Sequence, residues 1–121
     1  MLKSIPVIVS AILIAGCTQE PNVSFKADIQ SVLDRNCSSC HSGNGDGVKA
    51  SGFVVDTHAD VMRGTKFGPV VVAGHAESSS LYRLVAGKVD RTIRMPHGEE
   101  KLPDADVAAI KKWIDQGAED N

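Results

Sequence analysis

Five consecutive residues, Cys37-Ser38-Ser39-Cys40-His41, constrain this chain more than any other feature. Two thiols stand two residues apart and an imidazole follows at once. Cys17 is the only other cysteine among the 121 residues. A Cys37–Cys40 disulfide would suit an oxidising compartment but gives His41 no part. A thioredoxin-like redox pair follows a strand in a βαβ setting, whereas the residues before Cys37 read as helix. A structural zinc site takes four ligands, usually as two spaced pairs, and no second cysteine pair exists.

The spacing matches C-x-x-C-H, the attachment pattern of c-type haem. Each thiol adds to one vinyl group of the porphyrin, and a tight turn sets the two sulfurs to match. The histidine after the second cysteine then reaches one face of the iron. The expected cofactor is therefore one covalent haem c, held by Cys37 and Cys40, with His41 as an axial ligand.

The start of the chain agrees with attachment outside the cytoplasm. Met1-Leu2-Lys3 is short and positive, Ile5 to Ile14 is almost wholly apolar, and Ala15-Gly16 places small residues before Cys17. That order is the layout of a secretory signal peptide, and a run of about ten apolar residues is too short to span a bilayer. Leu13-Ile14-Ala15-Gly16-Cys17 also resembles the lipobox of bacterial lipoproteins, which implies lipidation of Cys17. The expected organisation is a signal peptide over 1–16, a lipidated cysteine and tether over 17–23, and one domain over 24–121. The length allows a single core. Without Lys3 the net charge moves from −2 to −3, too mild to indicate nucleic acid.

A six-coordinate iron needs a second axial ligand. Met1 leaves with the leader and Met62 sits in a helix-like stretch, which leaves Met95, heading Met95-Pro96-His97-Gly98. Pro96 fixes its own φ and biases Met95 towards extended geometry, so a rigid loop would present the thioether. His97 is the rival sixth ligand. His58 and His75 lie in polar contexts and read as surface residues.

Around these residues the pattern is helical. Phe25, Ile29, Val32 and Leu33 share one helical face behind a Ser24 cap and run into the cysteine motif. Ser42 to Gly52 reads as a Gly-rich loop, and Phe53-Val54-Val55 as a short extended piece. Thr57 caps a brief helix to Arg63 that Gly64 ends. Another runs from the serines at 78–80 through Leu81, Leu84 and Val85. Pro103, at the first helical position, opens the last helix, with Asp104 and Asp106 at its positive end and Val107, Ile110, Trp113 and Ile114 towards the core. Phe25 or Ile29 is expected against Ile110 or Trp113.

The ordered set Cys37–His41, Gly52-Phe53-Val54-Val55-Asp56, Val72-Ala73-Gly74-His75-Ala76-Glu77-Ser78 with Ser80-Leu81, Met95-Pro96, and Lys112-Trp113-Ile114-Asp115-Gln116-Gly117-Ala118 resembles class I cytochromes c. It is most similar to the planctomycete-type cytochrome c domain, over about residues 24 to 118. The resemblance implies an all-α cytochrome c fold of three to five helices around one covalent haem, with His41 and Met95 axial. The function it implies is one-electron transfer between redox protein partners by a membrane-anchored carrier at an extracytoplasmic face, not catalysis. Lys88, Arg91 and Arg94 offer a basic patch for an acidic partner. The alternatives are a haem-based ligand sensor or weak peroxidase with a labile sixth position, and a lipoprotein serving only interaction, with Cys37 and Cys40 in a disulfide.

Overall fold

The computed structural model describes residues 1–2, 10–13 and 15–121. Most of the apolar run expected as a leader, with Ile14 of the lipobox pattern, lies outside the described residues. Among the described residues no helix is long and apolar enough to cross a membrane.

The chain is all-α, with more helical segments than the three to five expected. Ser24 caps the first helix: its side chain accepts from Ala27 N–H, while Asp28 accepts from the Ser24 N–H at 2.8 Å. The helix opens in π geometry over Phe25–Ile29 and continues as α1, Gln30–Asn36. A one-turn helix α2, Ser38–His41, carries the cysteine motif. Then follow α3 (Asp46–Ser51), α4 (His58–Arg63), a 3₁₀ turn (Ala76–Ser78), α5 (Ser80–Val85) and α6 (Asp104–Asp115). The described residues contain no strand, only an isolated bridge between Thr65 and Gly68.

Helix α3 corrects the expectation of a loop from Ser42 to Gly52. Two of its three glycines sit at its ends, where a helix tolerates them. Gly45 is the N-cap, Asp46 places its charge at the positive end, and Gly52 closes the helix with φ of 74°. Ser51 adds a hydrogen bond to the Gly47 carbonyl at 2.7 Å. The other short helices follow the sequence pattern. Thr57 accepts from Asp60 N–H to start α4, and Gly64 ends it. Pro103 is the N-cap of α6 and not its first helical residue, a displacement of one position.

One buried cluster joins the two ends of the domain. Phe25, Ile29, Val32, Leu33, Ile110, Trp113 and Ile114 are all buried, and Phe25 meets Trp113 with ring centroids 5.4 Å apart. This is the expected pairing of the first and last helices. Burying side chains of this size contributes about 1.5–3 kcal/mol each.

His58 departs from the surface position expected of it. The ring is half-buried, edge-on to Phe25 at 5.0 Å, and Nε2 donates to the Ala118 carbonyl at 2.7 Å. Thr57 caps α4 so that its first residue points back at the helix junction. His75 is exposed, as expected.

Candidate haem-attachment site

The site grows out of the end of α1. The Cys37 N–H bonds to Leu33 O at 2.8 Å, and Cys37 then serves as N-cap of α2. Cys40 N–H and His41 N–H both return to the Cys37 carbonyl, at 3.2 and 2.9 Å. This single turn fixes the two thiols and the imidazole on one short piece of backbone. Ser38 ties it to α1 by donating to Asp34 O at 2.6 Å.

The thiols have different surroundings. Cys37 is half-buried and packs against the hydrophobic core, while Cys40 is exposed. Burial, with a smaller contribution from Cys40, pushes the Cys37 thiol up to about 11.

His41 is held on three sides. Its Nδ1 lies 3.0 Å from the Phe53 carbonyl oxygen. A carbonyl only accepts, so Nδ1 carries the proton and Nε2 of the neutral ring keeps a lone pair. The Phe53 ring meets the imidazole edge-on at 5.3 Å. On a third side lies Gly47, where a Cβ would stand only 2.6 Å from the ring's Cε1. Glycine costs a helix interior roughly 0.5–1 kcal/mol relative to alanine, and here it makes room for the ring. The Val55 N–H closes the arrangement on His41 O at 2.9 Å.

The two candidates for the sixth ligand are placed differently. Met95 is half-buried and packs against the same core cluster as Cys37, whereas His97 is exposed. The Met95 N–H bonds to Leu84 O at 3.3 Å, which ties its loop to α5. Met62 is also half-buried against the core, from α4. Of the basic patch, Lys88 is engaged by Glu77 at 2.7 Å and lies over the Tyr82 ring. Arg91 is exposed and Arg94 half-buried.

Phe53, Gly47 and Ser51 are the site residues that sequence reasoning missed as supports. The one available signal was a glycine inside a segment able to form a helix.

The donor set suits a c-type haem. It offers two unpaired thiols on one turn, one of them desolvated, and an imidazole whose free nitrogen is defined by the bond its other nitrogen makes. An all-α chain with this turn has the elements of a haem-binding electron-transfer domain. Residues 37–99 match the family described as planctomycete cytochrome C, and the chain belongs to that family. Membership implies haem c as cofactor and haem-based electron transfer as the class of function. No curated protein and no solved structure matches the chain.

Proposed function

We propose that this protein is an exported, single-haem c-type cytochrome that carries one electron at a time between protein partners, anchored to a membrane through a lipid on Cys17. The observation that carries the haem reading is the Cys37–His41 turn with His41 Nδ1 committed to Phe53 O. When bound, the haem supplies the reversible one-electron couple of its iron. The chain's own residues would do the rest: Cys37 and Cys40 would hold the group by thioether bonds, and His41 would offer Nε2 to its iron. The Phe53 carbonyl and Gly47 fix the plane of that ring.

Met95 is proposed as the second axial ligand. Its support is a half-buried position against the core beside an exposed His97. A thioether ligand raises the reduction potential relative to many alternatives. If both axial ligands stay bound in the ferrous and ferric states, little rearrangement need accompany each transfer. For docking, Arg91 and Arg94 are proposed to meet an acidic partner, with Lys88 held back by Glu77.

The tether supports a short leash to the bilayer. Cys17 is exposed. Glu20 pairs with Lys112 at 3.0 Å, Gln116 donates to Pro21 O at 3.3 Å, and Val23 N–H donates to Gln116 Oε1 at 2.8 Å. The tether expected over 17–23 thus meets Lys112 of α6 and its C-cap Gln116 from Glu20 onward, which would hold the domain close to a lipid on Cys17.

The test is maturation in a periplasm. Covalent haem on the wild type, and none on Cys37→Ala/Cys40→Ala, is expected. Metabolic labelling with a fatty acid that disappears in Cys17→Ala checks the anchor.

A further inference from the structure

Two of the supports of His41 meet at one side chain. Ser51 Oγ donates to the Gly47 carbonyl at 2.7 Å and accepts from the Phe53 N–H at 3.1 Å. Gly47 is the residue against the face of the imidazole, and Phe53 is the residue whose carbonyl takes the Nδ1 proton. The Ser51 carbonyl in turn accepts from Lys66 N–H at 2.8 Å, which pins the end of α3 to the Thr65–Gly68 turn. The hydroxyl is half-buried and engaged both as donor and as acceptor. Gly52, between Ser51 and Phe53, has φ of 74° and turns the chain so that Phe53 faces back to α2.

We propose that Ser51 is a positioning residue for the axial histidine, setting the strength with which His41 donates to the iron and hence the reduction potential of the protein. This rests on the haem reading above. A firm Nδ1–H···O=C bond raises the basicity of the imidazole, and a more basic ligand favours the ferric state. Ser51 keeps that bond firm from both ends. It holds the Phe53 N–H, on the near side of the Cα whose carbonyl accepts the proton, and it holds the Gly47 carbonyl, next to the Cα that stops the ring from swinging away. Without the hydroxyl, the Phe53 N–H loses its acceptor and the Phe53 carbonyl, on the next peptide, loses one restraint on its direction, so the bond to Nδ1 weakens and the ferrous state gains.

The test compares haem-loaded wild type with Ser51→Ala, Ser51→Thr and Ser31→Ala. Ser31 donates to Asp28 O at 2.9 Å in the first helix, so its loss removes a similar hydroxyl bond without touching Gly47 or Phe53. The readouts are the reduction potential, by spectroelectrochemistry, and the exchange rate of the His41 Nδ1 proton in the ferrous protein, by NMR. Ser51→Ala is expected to raise the potential, with the equilibrium constant for reduction increasing by at most about fivefold, the limit in which the whole worth of one ordinary hydrogen bond is lost from the ferric state alone. It should also speed Nδ1 proton exchange several-fold. Ser51→Thr restores both and Ser31→Ala moves neither. A Ser51→Ala protein with His41 still ligating, and with wild-type potential and exchange, overturns the inference alone. A wild type that takes up no haem, or ligates it without His41, overturns the haem reading and the inference together.

Discussion

His58 Nε2 donates to the Ala118 carbonyl across 60 residues of sequence, and its ring stands edge-on to both Phe25 and Trp113. One imidazole therefore closes the junction between the start of the first helix and the end of α6. The junction is further fastened from the last residues described. Asn121 Oδ1 accepts from Phe25 N–H at 2.7 Å, and Trp113 Nε1 donates to Glu119 O at 3.0 Å. The helix that ends in the cysteine motif is thus anchored at its far end by α6.

Trp113 is the largest side chain in that junction and is 1% exposed. Trp113→Ala should cost about 3–5 kcal/mol of folding stability, measured by denaturant unfolding of the haem-loaded protein. A loss below about 1 kcal/mol would mean that the two helices do not share a core.

Ser79 is fully buried, and its hydroxyl is engaged on both sides. It accepts from Val72 N–H at 2.8 Å and donates to His75 O at 2.9 Å. Ser79→Ala takes the acceptor from the part-buried Val72 N–H and empties space in a closed site, a loss of about 1–3 kcal/mol. Valine at this position should be worse, because it adds volume to the same closed space. Thermal unfolding of the two variants beside wild type reads this, and an unchanged midpoint for both would contradict it.

The Lys111 hydrogen bond and the Ala76 N–H hold the Asp115 carboxyl below its usual value of 3.8. A depressed folded value gives stability that is present above the unfolded pKa and lost as pH falls through the folded one. The contribution therefore disappears only below 3.8. Asp115→Asn should flatten the acid limb of the stability curve in that window while leaving the shape at neutral pH unaltered. A mutant with the wild-type acid limb would assign that limb to other carboxyls, such as Asp60, which Thr57 and Arg63 also hold low.

The tether offers a separate check. Val23 N–H donates to Gln116 Oε1, so its exchange with solvent should be protected. Gln116→Ala is expected to accelerate exchange at Val23 while the amides of α6 stay protected. Equal, unprotected exchange at Val23 in both proteins would show a free leash.

The helices were legible where the sequence concentrates its signals. Ser24, Thr57 and Pro103 mark starts, Gly64 marks an end, and the apolar spacing from Phe25 to Leu33 and from Val107 to Ile114 names the faces that meet. The cysteine motif stands out in the sequence because cysteine and histidine are rare side chains there, and Met95 enters the proposal on the same ground. What escaped was set by backbone. Helix α3 was hidden because its glycines are read as loop formers, although Gly45 and Gly52 lie at its ends and Gly47 yields space to His41. His58 looked like a surface residue because its neighbours in sequence are polar, while its partners, Phe25, Trp113 and Ala118, are distant in sequence. The Phe53 carbonyl has no side-chain signature at all.

The central proposal is a haem that Cys37, Cys40 and His41 would hold, with Met95 as the second ligand to its iron. The most direct measurement is the absorption spectrum of periplasmically matured protein, oxidised and reduced, for wild type, Met95→Ala and His97→Ala. The account predicts a low-spin c-type spectrum whose methionine–iron band is lost in Met95→Ala and retained in His97→Ala. A wild type without covalent haem, or a methionine–iron band that survives Met95→Ala, would contradict it.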